Sequence, residues 1–173
     1  GKKGSEYEGG VRVPFIAAWA KPDAKNKFQK KYPIAQNAVQ LQQGTVMDLY
    51  PTILSVAHVK SPKHYALDGA DLKKLLQGKE DKNHRDDFLM HFPHGEHRAN
   101  YFTTYRKGDW KLIYYYNPET TGIPTWKLYN LKDDPYETSE LSAKYPEKTA
   151  SMIELMKNRL TEENALYPIT ENK

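Results

Sequence analysis

Three histidines and an arginine fall within eight consecutive positions, His91-Phe92-Pro93-His94-Gly95-Glu96-His97-Arg98. Imidazole can move a proton near neutral pH, ligate a metal or hydrogen-bond to a sugar hydroxyl. The spacing fits no defined metal motif. Two readings stay open: a polar, partly exposed turn, or a loop reaching a cleft from the end of the strand before it. Lys3 is a second candidate. It stands ahead of the glycine-hinged stretch Gly4-Ser5-Glu6-Tyr7-Glu8-Gly9-Gly10. A lysine on such a turn can carry charge to an anion, or can simply be exposed beside Lys2. The carboxylate pairs Asp86-Asp87 and Asp133-Asp134 are poorer candidates. Adjacent residues on extended chain point opposite ways, so neither pair makes a natural two-carboxylate site.

The elements that must position these residues differ between the two halves of the chain. Val13 to Trp19 is an almost continuous apolar run, which predicts a strand covered on both faces, as in a parallel sheet. A basic, proline-bearing stretch with Pro22 and Pro33 reads as a surface loop. Asp48 to His58 predicts a helix with Asp48 as N-cap, Pro51 in its first turn, and Leu49, Ile53 and Val56 on one face. Leu67-Asp68-Gly69 predicts a turn, and Ala70 to Leu76 a short helix with Leu72, Leu75 and Leu76 inward. The polar stretch Lys79 to Asp87 reads as a linker.

Beyond it come four strand signals: Phe88 to Phe92, Tyr101 to Arg106, Trp110 to Tyr116 and Trp126 to Leu131. Lys107-Gly108-Asp109 is a tight hairpin between the middle two. On the third strand Trp110, Leu112, Tyr114 and Tyr116 share one face, and Lys111, Ile113 and Tyr115 the other. Met152, Ile153, Met156 and Leu160 form one stripe of a helix over residues 148–160, most simply laid across the sheet. The fold expected is therefore mixed α/β (α+β): the tail of an α/β domain, then a small antiparallel four-stranded sheet with a C-terminal helix.

The 173 residues, 38% hydrophobic and 28% charged, suit a globular chain with a real core. With no cysteine, disulfides and thiolate metal sites are excluded. No phosphate-cradling loop, zinc spacing or nucleophile elbow is present. No apolar run has the length of a membrane span, and no membrane partner is expected. The net charge of +4 is mild. Its densest stretch is Lys21, Lys25, Lys27, Lys30 and Lys31 around Asp23, which reads as a solvated loop or an attractor for an anionic polymer. The charges do not line one predicted helix or strand, so no nucleic-acid partner is expected.

Lys3-Gly4-Ser5-Glu6-Tyr7-Glu8-Gly9-Gly10-Val11-Arg12-Val13-Pro14 resembles the lysine-x-x-x-Tyr-Glu-Gly-Gly-x-Arg-x-Pro stretch of the type I, formylglycine-dependent sulfatases of the alkaline-phosphatase-like superfamily. Further segments are similar to that family, in family order. Asp48-Leu49-Tyr50-Pro51-Thr52 resembles its Asp-x-x-Pro-Thr helix, and Leu67-Asp68-Gly69-Ala70-Asp71-Leu72 its Leu-Asp-Gly turn. Arg106-Lys107-Gly108-Asp109-Trp110-Lys111-Leu112 resembles its Gly-Asp-Trp-Lys hairpin. Leu128-Tyr129-Asn130-Leu131 with Asp133-Asp134-Pro135-Tyr136-Glu137 resembles its closing segment.

The resemblance is to the C-terminal portion of such enzymes. It implies that residues 1–85 are the last part of the catalytic α/β domain and 86–173 the C-terminal subdomain. The partner implied is the missing N-terminal part of the parent chain, with a sulfated carbohydrate or aryl sulfate as substrate. The family hydrolyses sulfate esters with a formylglycine made from Cys or Ser, and a Ca2+ polarises the sulfate. This sequence has no Cys/Ser-x-Pro-x-Arg motif and no paired aspartates ahead of one. Nucleophile and calcium ligands are accordingly expected outside this chain, no bound cofactor or metal within it, and the fragment alone is expected to be inert. Lys3 occupies the position of the family lysine that contacts sulfate, which implies a catalytic role for it. Glu8 and Arg12 are expected to brace the loop. The subdomain often lines the substrate cleft, which implies His91, His94, His97 and Arg98 as contacts to a sulfated sugar. The compartment is not fixed by the sequence; the resemblance implies a periplasmic or secreted setting. Two other readings remain: a noncatalytic module binding anionic glycans through its basic loop and aromatic strands, and a phosphoester or phosphonate hydrolase of the same superfamily.

Overall fold

The computed structural model describes residues 2–93, 101–116 and 122–167. The chain divides into two compact units, one made of Gly1–Val13 with Asp87–Lys173 and the other of Pro14–Asp86.

The first unit is built on a four-stranded antiparallel sheet of β1 (Asp87–Phe92), β2 (Phe102–Lys107), β3 (Trp110–Tyr115) and β4 (Trp126–Asn130), in that spatial order. Lys107 pairs with Trp110 across a two-residue loop. Gly108 has φ +57°, at the first loop position, where a type II′ hairpin places its glycine. Helix α5 (Pro146–Glu162) lies on one face. Met152, Met156 and Leu160, at i, i+4 and i+8, bury against Tyr105, Leu112 and Leu128. Trp110, Tyr114 and Trp126 border that core. The apolar stripe read from the sequence is thus the stripe that packs.

The opposite face is buried as well. Phe102, Ile113, Tyr115, Tyr129 and Leu131 form a second core, and Tyr7 from the N-terminal segment packs on it. Helix α1 (Glu8–Val11) belongs to that cover. The outer edge of β4 is closed by the following loop: Leu128 N–H donates to Glu140 at 2.9 Å, and Leu141 N–H to the Leu128 carbonyl at 2.9 Å. An edge satisfied in this way offers no template for another strand.

The second unit carries short helices on irregular chain: α2 (Lys27–Lys31), a 3-10 turn (Val46–Asp48) running into α3 (Leu49–Val56), and α4 (Lys73–Leu76). Its centre is a polar joint. Asp48, 1% exposed, accepts from the Thr45 and Ala70 amides at 2.6 and 2.8 Å. The Thr52 hydroxyl donates to the Asp48 carbonyl at 2.6 Å and accepts from the Leu72 amide at 2.9 Å. The Asp-x-x-Pro-Thr and Leu-Asp-Gly segments are therefore two halves of one contact.

Several expectations fail in this unit. Residues 13–19 are not a strand. Phe15 and Ile16 are 57% and 89% exposed, because a doubly covered strand needs neighbours and cover that Pro14–Asp86 does not supply. Asp48 stands at the N-cap position of α3 but makes no side-chain capping bond; its carboxylate points back to Thr45 and across to Ala70. The buried side chain on α3 is Thr52, while Ile53 is 62% exposed. The helix expected over Ala70–Leu76 shortens to four residues, although Leu72 and Leu75 do bury. The stretch read as a linker is held down: Asp81 exchanges backbone bonds with the Gln42 side chain, and buried His84 sits 3.6 Å from Asp48. Among the described residues, no helix is long and apolar enough to cross a membrane.

Candidate functional site: the Lys3 loop on the sheet

Lys3 sits in a turn closed by the Ser5 amide donating to the Lys2 carbonyl at 3.0 Å. Its side chain is exposed, and its ammonium makes no ion pair with a described residue. The turn rests on α1. A Cβ added at Gly10 would lie 2.3 Å from the Ser5 carbonyl oxygen and 2.7 Å from that of Lys2. Only glycine lets the helix and the turn approach so closely.

Glu6 and Tyr7, between turn and helix, and Glu8, the first residue of α1, are anchors. Glu6, 6% exposed, accepts from the Tyr115 hydroxyl at 2.7 Å. Burial, then the bonds to Tyr7 and Glu6, push the Tyr115 phenol far above its usual range, so it remains a donor. The Tyr7 hydroxyl accepts from Lys127 Nζ at 2.8 Å, and its ring meets Tyr129 edge-on. Glu8 is the most elaborately held. Its amide donates to Glu137 Oε2 at 2.6 Å, and its carboxylate lies 3.0 Å from Lys111 Nζ and 3.8 Å from Arg106. Lys111 Nζ is also 2.8 Å from Glu137 Oε1. That contact is an ion pair rather than a directed hydrogen bond. Both the Lys111 and Glu137 side chains are 2% exposed.

Glu8 therefore braces the loop as expected. Arg12 contributes through its backbone, donating to the Glu8 carbonyl at 2.8 Å; its side chain is exposed. The sequence reading missed Glu6, Lys111, Tyr115, Lys127 and Glu137. One signal was available: Lys111 alternates with Ile113 and Tyr115 on a single strand face. A lysine in an apolar row is either at an edge or buried with partners.

His91 lies on β1, paired with Thr103. Its side chain emerges on the α5 face, with Leu89, whereas the Lys3 loop covers the other. Nε2 is 2.7 Å from the Leu166 carbonyl and Nδ1 2.7 Å from the Thr103 hydroxyl, which is 2.8 Å from the Tyr116 hydroxyl. A carbonyl only accepts, so Nε2 carries a proton and donates to it. Burial pushes the Tyr116 phenol up to about 12, which keeps it a donor to the same network. Both ring nitrogens of His91 are thus engaged internally. His94, His97 and Arg98 lie outside the described residues.

Residues 2–165 match the family described as N-sulphoglucosamine sulphohydrolase, C-terminal. The chain belongs to that family. A sulfatase of Formosa agariphila is 34% identical over 175 residues, which cover 92% of this chain and 28% of that protein. An N-acetylgalactosamine-6-sulfatase of Sus scrofa is 35% identical over 106 residues, 58% of this chain and 18% of its own. A protein solved in complex with its substrate, D-glucosamine-2-N,6-O-disulfate, superposes with a TM-score of 0.54 at 30% identity, over 66% of this chain and 23% of that one. The chain spans 28% and 25% of the length of the first two curated relatives. The resemblance read from the ordered motifs is thereby shown, and so is the fold class, a sheet-and-helix subdomain of the alkaline-phosphatase-like architecture.

Proposed function

We propose that this chain is the C-terminal portion of a sulfatase that hydrolyses sulfate esters of a sulfated carbohydrate, with Lys3 as the cation that meets the sulfate. The observation that carries the proposal is an exposed ammonium, unpaired with any described residue, on a turn whose next three residues are fixed to a buried sheet face. A cation held in place costs little reorganisation when negative charge grows on the departing oxygen and the sulfate. An ammonium–sulfate contact is also a charge-assisted hydrogen bond.

In the family, a calcium ion and a formylglycine supply the chemistry at the sulfate. The residues present do not fit either group. The sequence has no Cys/Ser-x-Pro-x-Arg motif, and among the described residues no three His, Asp or Glu side chains gather to hold a metal ion. What this chain contributes is the positive charge of Lys3 and the frame that fixes it. We assign sugar recognition to His94, His97 and Arg98, which follow β1 in sequence. His91 could join them only by giving up one of its two internal bonds.

The full-length parent, assayed on a sulfated glucosamine, an aryl sulfate and a phosphonate monoester, tests this reading. The sulfate esters should be favoured in kcat/KM by at least about a hundredfold. Preference for the phosphonate ester would overturn it in favour of the related hydrolases. His94→Ala should raise KM for the sulfated sugar several-fold and leave the aryl sulfate unchanged. Equal losses on both would remove the sugar-recognition role.

A further inference from the structure

We infer that Lys111 is a positioning residue for the Lys3 sulfate contact, acting through the buried Lys111–Glu8–Glu137 cluster. The inference rests on the proposed role of Lys3. The path is continuous. Lys111 Nζ holds the carboxylates of Glu8 and Glu137 at 3.0 and 2.8 Å. Glu137 also accepts a hydrogen bond from the Glu8 amide at the start of α1. Gly10, two residues further on, is in closest approach to the carbonyls of Lys2 and Ser5, which flank Lys3 in its turn. Moving α1 moves the turn.

Stability alone does not account for such a cluster. Burying a lysine and two carboxylates costs several kcal/mol per ion, and apolar side chains of similar volume are often neutral or better in their place. What a buried ion cluster adds is register: it is satisfied in one arrangement and unpaired in its neighbours. Glu137 also sits at φ +54°, a left-handed backbone that non-glycine residues hold only where the surroundings dictate it. Charge is balanced locally. Lys111 and Arg106, paired across β2 and β3, face Glu8 and Glu137, so α1 is held without drawing on the Lys3 ammonium.

The test is a double-mutant cycle in the full-length parent with Lys3→Ala, Lys111→Met and both together, measured as kcat and KM on a small aryl sulfate. Circular dichroism and Tm confirm that each variant is folded at the assay temperature. We expect Lys111→Met to lower kcat at least about tenfold, and by less than about twofold when Lys3 is already alanine, because residues acting through one contact are not additive. Equal losses in both backgrounds, or no loss in the wild-type background, would overturn the inference. A Lys3→Ala variant with unchanged turnover would instead defeat the underlying assignment, so the two failures are distinct. Should Lys111→Met not fold, Glu137→Gln keeps the acceptor for the Glu8 amide and runs the same cycle, with the same expected and contrary results.

Discussion

Lys3 owes its setting to residues held against the sheet behind its turn. Glu6, Tyr7 and Glu8 each end on a different partner on the sheet face, Tyr115, Lys127 and Lys111. Gly10 closes the turn against α1. The methyl of a Gly10→Ala variant would meet backbone oxygen at 2.3 Å, a contact that no side-chain rotation relieves. We expect that variant of the parent to stay folded, since the clash falls on a surface turn, and to lose roughly tenfold or more in kcat. Kinetics alongside circular dichroism check it; full activity would show that the turn need not be tightly placed. Lys3 could be singled out as a candidate from its place in the motif. Its buried supports could not, because alternating Glu and Tyr on a loop, or one Lys on a strand, reads as surface until the partner 103 positions away is known.

At the scale of elements, the antiparallel half was written plainly in the sequence. Period-two alternation on β3, the glycine hairpin and the Met152–Met156–Leu160 stripe each name a local geometry, and all agree. The first half misled for a physical reason. An apolar run such as Val13 to Trp19 states that burial is wanted, not what provides it, and within Pro14–Asp86 nothing does. The loop after β4 carries a pH-dependent element. Asp134 accepts from the Ser139 amide at 2.8 Å and the Thr138 amide at 2.7 Å. The Ser139 bond, opposed by partial desolvation and aided by Thr138, holds its pKa below the ordinary 3.8. A depressed folded pKa gives stability that is complete above the unfolded value and lost as pH falls through the folded one. The Tm gap between wild type and Asp134→Asn should therefore be widest above about pH 4 and close below it. A gap that widened in acid would contradict the assignment.

At the scale of the whole molecule, the unit of Gly1–Val13 and Asp87–Lys173 is a buried frame that holds the exposed Lys3 turn. Its Lys3 loop belongs with the C-terminal sheet although it is remote in sequence, so the subdomain and the candidate sulfate contact form a single compact unit. No cysteine or Ser-x-Pro-x-Arg motif is present, and no cation-holding cluster occurs among the described residues. The 173-residue chain assayed alone should accordingly release no sulfate from an aryl sulfate above the buffer rate, at concentrations where the parent turns over readily. Turnover by the fragment would mean that a nucleophile resides within it.

The most direct measurement is the steady-state turnover of the full-length parent carrying Lys3→Ala on a sulfate ester. The account predicts a fall in kcat of at least about tenfold, a loss of roughly 1.4 kcal/mol or more of transition-state stabilisation, with the fold unchanged by circular dichroism. Turnover equal to wild type would contradict it and leave the anchored loop without its sulfate.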